Sequence, residues 1–157
     1  MPRLSTVFSR RVKQKGITVL AEFSQANIPT IGLGLVAKNA FIRERQDVLG
    51  GVLKGLSEAV AFILSPNYKP VVLKTIMQHL RITDPATAEE GYQDLLTGIE
   101  KKALPSIEGL RNTQRLLKPR NPKLETTKVE ELIDDRIVRR LEGSGFIGRL
   151  HAAYGIK

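Results

Sequence analysis

The stretch from Pro29 to Ile63, PTIGLGLVAKNAFIRERQDVLGGVLKGLSEAVAFI, constrains the fold more than any other part of the chain. Thr30 to Ala37 is rich in Ile, Leu and Val, holds two glycines and is too short to bury itself as a helix, so it is expected to form a buried strand. Asn39 then caps a short helix through Ile42, and Asp47 restarts the helix. Val48, Leu49, Val52, Leu53, Leu56, Ala59, Val60 and Ile63 recur at the i, i+3, i+4, i+7 spacing of one helical face. A strand that delivers the chain to a long amphipathic helix predicts a helix packed on a sheet.

The flanking sequence extends this pattern. Ser5 to Gln14 reads as a helix with Val7, Phe8 and Val12 on one side and Gly16 as its stop, followed by a strand over Ile17 to Phe23. Ser24 to Pro29 is a polar connection ending in proline, the one loop to inspect for ligands. Downstream, Asn67 caps a helix with Pro70 in its first turn and Val72, Leu73, Ile76, Met77 and Leu80 on its inner face. Thr83, Asp84 and Pro85 open another that runs through Tyr92, Leu95, Leu96 and Ile99. Ser106 caps the next, with Ile107, Leu110, Gln114 and Leu117 aligned. Lys118 to Thr127 holds two prolines and is expected to be an exposed loop. Thr127 and Glu130 have capping-box spacing for a last helical stretch through Leu141, ended by Gly143. The fold class that results is α/β and predominantly helical, with two or three strands followed by four or five helices.

Composition bounds the function. A chain of 157 residues, 41% hydrophobic and 26% charged, can bury a core and is globular rather than disordered. With no cysteine, disulfides and Cys-based metal or redox sites are excluded. No stretch reaches the about 18 uncharged apolar residues of a membrane span, because Asp47, Lys54 and Glu58 interrupt the long helix. The basic N-terminus has no apolar core after it, so no secretory signal is read in this chain. A net charge of +9 raises the question of nucleic acid. Clusters occur at Arg10, Arg11, Lys13 and Lys15, at Lys118, Arg120 and Lys123, and at Arg136, Arg139 and Arg140, the last with acidic residues interleaved. Few aromatics accompany them, so there is no stacking platform, and a solvated basic surface is the plainer reading.

Other constellations carry little. Gly32, Gly34 and Ala37 match the spacing of a dinucleotide fingerprint but lie inside the apolar run, where close strand packing explains them better. His79 and His151 stand 72 positions apart, too little for a metal site without carboxylates brought in by folding. Glu130, Glu131, Asp134 and Asp135 sit near a helix start, where they support its dipole. Ser24 and Ser144 lack a nucleophile elbow, and no enzyme emerges. Gly51, Gly55 and Ala59 form a small-residue stripe expected to admit a neighbouring element closely. No cofactor is implied.

The order GITVLAEF, then IPTIGLGLVAKNAFIRERQDVLGGVLKGLSEAVAFI, TDPATAEEGYQDLL, PSIEGLRNTQRLL and VEELIDDRIVRRLEGSGFI resembles the C-terminal half of solute-binding proteins of ABC importers. The similarity is to the nitrate, sulfonate, taurine and thiamine-precursor type and covers about Gly16 to Ile147. It implies a partial periplasmic-binding-protein-like fold of type II. Residues 1–28 would end the second lobe and make the crossover, and 29–157 would return to the first lobe and form a helical tail. It also implies capture of a small-molecule solute in an interlobe cleft and delivery to a membrane permease, with a periplasmic or cell-envelope location for the full-length form. By position, Phe23, Ser24 and Thr30 become the candidate ligand contacts. The rest of the cleft and the export signal would belong to a preceding half, which makes this chain a truncated fragment. Its apolar strand and long helix would then be exposed and inclined to self-association. The alternative from another class is a basic helical nucleic-acid-binding protein, which requires the Arg10 to Lys15 and Arg136 to Arg140 clusters to share a face.

Overall fold

The computed structural model describes residues 15–18, 28–31 and 34–156. Among the described residues the chain is all-helical, with no strand. Seven α-helices follow in order: α1 (Asn39–Glu44), α2 (Gln46–Leu64), α3 (Lys69–Leu80), α4 (Pro85–Gly98), α5 (Ile107–Leu117), α6 (Arg136–Gly143) and α7 (Phe146–Ala153). Short 3-10 turns occupy Pro66–Tyr68, Lys118–Arg120, Pro122–Glu125 and Val129–Leu132.

The α/β expectation, with its partial type II binding-protein fold, is therefore corrected to an all-helical one. Residues 30, 31 and 34–37 of the expected Thr30 to Ala37 strand carry no ladder. The residue composition suits a pleated, half-buried surface, but such a preference becomes a strand only where a neighbouring strand takes the backbone groups. Here helix side chains take one of these groups and the carbonyl just before the run. Asn112 Nδ2 donates to the Pro29 carbonyl at 3.0 Å, and the Ile31 N–H donates to Thr113 Oγ1 at 3.3 Å. Ile17 and Thr18 are likewise outside any strand; the rest of the expected Ile17 to Phe23 strand and the Ser5 to Gln14 helix lie outside the described residues.

The chain divides into two compact units, Met1–Ala26 with Glu58–Lys101 and Leu150–Lys157, and Asn27–Ser57 with Lys102–Arg149. In the first, α3 packs on α4 around Ala61, Val72, Ala88 and Tyr92. Asp84 opens α4 as its sequence promises: the carboxylate accepts from the backbone N–H groups of Ala86 and Thr87, and Pro85 fills the first turn. The buried Tyr92 donates its hydroxyl proton to the Ile63 carbonyl at 3.0 Å, serving one of the terminal carbonyls that α2 cannot bond internally. Phe62 stacks on Tyr68 with ring centroids 4.4 Å apart, and Tyr154 closes on both.

In the second unit, Leu49, Val129, Val138, Leu141 and Ile147 form the core. Ser106 caps α5 through the Gly109 N–H at 2.9 Å. Gln114 donates from its one amide nitrogen to the Leu124 and Thr127 carbonyls, both at 2.7 Å, which fastens the exposed Lys118 to Thr127 stretch to α5. The single helix expected from Thr127 through Leu141 is split. Val129–Leu132 makes a 3-10 turn, Ile133 is extended, and α6 starts at Arg136. Thr127 does not cap it: Lys128 and Asp135 take the N-cap places of the turn and of α6, and the Thr127 hydroxyl donates to the Lys123 carbonyl at 3.0 Å.

The long helix departs from expectation in which face it buries. Leu49, Ser57 and Ala61 are buried, one row along the helix, while Val52 and Leu56 on the adjoining stripe remain 42% and 46% exposed. A Cβ added at Gly51 or Gly55 would meet nothing within 4 Å, and the same holds at Gly34. The close approaches expected at the stripe and in the apolar run are absent among the described residues.

Candidate functional site

Of the three candidate ligand contacts, Thr30 is described; Phe23 and Ser24 lie outside the described residues. Thr30 is exposed and belongs to the second unit. Its setting is built by α5. Gly109, Asn112 and Thr113 stand at i, i+3 and i+4, so they share one helix face. Gly109 is buried, and a Cβ there would come within 3.3 Å of Ile31 Cγ1 and 3.2 Å of Ser106 Oγ. The absence of a side chain at 109 lets the crossover lie directly on the helix. Asn112 and Thr113 then take the Pro29 carbonyl and the Ile31 N–H. Arg115 Nη1 donates to Asn112 Oδ1 at 3.4 Å, which orients the amide with its nitrogen toward Pro29.

The sequence offered one signal for this seat, a glycine inside an amphipathic helical pattern, which usually has a packing reason. It offered none for the partners, which lie more than 80 positions from the residues they hold.

The charged groups pair among themselves. Arg136 holds Asp134 at 2.6 Å, Arg139 holds Asp135 at 2.7 Å, and Arg140 donates to Gln46 Oε1 at 3.1 Å. Glu130 takes Arg111 at 2.6 Å, and Lys118 lies 3.5 Å from Glu125. The Arg136 guanidinium beside Asp134 holds that carboxyl below the usual range and raises its own pKa in return. Glu130 is lowered first by its own backbone N–H and then by Arg111. The acidic patch is thus spent on ion pairs, with Asp134 also accepting the Arg136 backbone N–H at the start of α6. On α6, Arg136 and Arg139 each have a carboxylate partner and stay about two-thirds exposed. Of the N-terminal cluster, Arg10, Arg11 and Lys13 lie outside the described residues.

His79 is exposed on α3 and His151 half-buried on α7, and no group of three His, Cys, Asp or Glu side chains suited to a metal ion occurs among the described residues. No single described helix is long and apolar enough to cross a membrane. No family model, curated protein or solved structure matches this chain.

Proposed function

We propose that the chain is a solute-binding component, or part of one, of an ABC importer, which captures a small molecule and passes it to a membrane permease. The observation that carries this reading is the order and spacing of the segments from Gly16 to Ile147. In support, α3 to α7 occupy the stretch that the resemblance assigns to a helical tail. The apolar run before α1 leaves Leu35 and Val36 exposed. The crossover that precedes this run carries Thr30, the described member of the candidate contact set Phe23, Ser24 and Thr30. Ligand binding in such a receptor draws on the difference in affinity between its open and closed states.

The test uses the polypeptide as isolated from the envelope fraction of its native cells, with its intact mass determined. It is heated in the presence of nitrate, taurine, an alkanesulfonate or a pyrimidine. One of these is expected to raise the melting temperature in proportion to the logarithm of its concentration. No shift with any of them, together with duplex DNA binding that survives physiological salt, overturns the proposal in favour of the nucleic-acid reading.

A further inference from the structure

We propose that the run from Arg115 to Lys123, which spans the last turn of α5 and the start of the 3-10 turns after it, is a docking surface for an anionic membrane. The sequence RLLKPRNPK places Arg115, Lys118, Arg120 and Lys123 in one short stretch with no carboxylate among them, and every residue of it is exposed. Two of the exposed side chains are large and apolar, Leu116 at 48% and Leu117 at 45% accessibility. Part of the charge has a local use. Arg115 and Lys118 stand at the C-terminal end of α5, where a cation complements the helix dipole, and Lys118 also lies 3.5 Å from Glu125. Arg120 and Lys123 lie past that end, and neither has a carboxylate partner among the described residues. On α6, by contrast, Arg136 and Arg139 each hold an acidic neighbour.

The run is held in shape. The Asn121 N–H donates to the Leu117 and Lys118 carbonyls at 3.0 and 3.2 Å, and the Leu124 N–H donates to the Asn121 carbonyl at 3.0 Å. Gln114 ties the far end back to α5 through the Leu124 and Thr127 carbonyls. The backbone that carries the cations is thus ordered before any partner arrives, which lowers the cost of binding. A surface of acidic lipids fits both kinds of side chain. Its phosphates attract Arg and Lys, while Leu116 and Leu117 enter the boundary between headgroups and acyl chains, so that charge and apolar area act together. A nucleic acid would use the cations but offers nothing to two leucines, and the run has no aromatic ring to stack on bases. This surface stands independently of the solute-receptor reading.

The experiment sediments the full chain with sucrose-loaded vesicles of phosphatidylcholine, made with and without phosphatidylglycerol. Binding is expected on the phosphatidylglycerol vesicles alone and weakens as salt rises. Arg120→Gln combined with Lys123→Gln is expected to weaken it by roughly 25-fold, about fivefold for each charge. Leu116→Gln is expected to weaken it by roughly fivefold or more at an unchanged melting temperature. Arg136→Gln combined with Arg139→Gln removes the same formal charge from paired positions and is expected to leave vesicle binding within about twofold of the parent's. No binding to the anionic vesicles, equal binding to the neutral ones, or an equal loss in the two double variants overturns the proposal. Unchanged vesicle affinity in Leu116→Gln, with duplex DNA competing for the same cations, overturns the membrane as partner in favour of a polyanion.

Discussion

Ser65, at the junction of α2 and the 3-10 turn that follows, is fully buried, and its hydroxyl has no hydrogen-bond partner among the described residues. Only its backbone is used: the N–H donates to the Ala61 carbonyl at 3.0 Å and the carbonyl accepts from Tyr68 at 3.1 Å. A buried hydroxyl without a partner forfeits its hydration, so Ser65→Ala is expected to stabilise the chain by about 1 kcal/mol, seen as a higher urea midpoint at constant slope. A lower midpoint would show that the hydroxyl has a bound partner. Tyr92 is the opposite case. Tyr92→Phe leaves the Ile63 carbonyl without its donor and is expected to cost about 1–2 kcal/mol in the same measurement. Neither effect was legible in the sequence, because Ser65 and Tyr92 are distinguished by what surrounds them and not by their neighbours in the chain. Asp84 and Ser106 were legible, since a cap acts on N–H groups two or three residues away. Arg81 shows the limit of such local reading. It ends α3 in the left-handed conformation at φ 53°, where glycine would have announced the stop.

At the scale of elements, helix ends are set by local chemistry and helix faces by tertiary partners. Asp84→Ala is expected to cost about 1 kcal/mol and to fray α4 from its first turn, visible as faster exchange of the Ala86 and Thr87 amides. The ion pairs act through pH. Lys69 and then Gln93 lower the Glu89 carboxyl, Lys102 lowers Glu142, and Arg136 lowers Asp134. Each folded value lies below its unfolded one, so the stabilisation is complete above the ordinary carboxylate range near 4 and is lost as pH falls through the depressed values. Because Glu89 and Glu142 are solvent-exposed, the loss is expected to be gradual and to shrink in high salt. Melting temperature followed from pH 7 to about 2 at low and high salt checks it; a profile identical at both salts would mean that these pairs contribute nothing. The helices α4 and α5 could be located from the sequence because capping and 3.6-residue periodicity are written within one segment. For α3 the periodicity holds but the expected cap does not: Asn67 lies in the preceding 3-10 turn and Tyr68 takes the N-cap place without a side-chain bond, just as Lys38 rather than Asn39 precedes α1. The strand over Thr30 to Ala37 could not, because a strand is a property of two segments and the sequence shows only one.

At the scale of the molecule, burial is incomplete where the sequence leads one to expect most of it. The second unit leaves Leu35 51% and Val36 91% exposed on a segment without regular secondary structure, and Val52 and Leu56 exposed on α2. These are residues whose pattern predicts a sheet with a helix packed on it. The pattern records an environment that the described residues do not supply, which is why the helical half of the expectation survives and the sheet does not. An exposed apolar segment is also a surface on which another chain can associate. The chain is therefore expected to self-associate at raised concentration, while Val36→Lys, placed where the exposed side chain makes the greatest apolar contribution, lowers the association without lowering the melting temperature. Sedimentation velocity across a concentration series, with a hydrophobic dye titration in parallel, measures both. A parent chain that stays monomeric and binds no dye would mean that this apolar surface is covered within the chain itself. Association abolished by the lysine would instead identify the Gly34 to Lys38 segment as part of the contact.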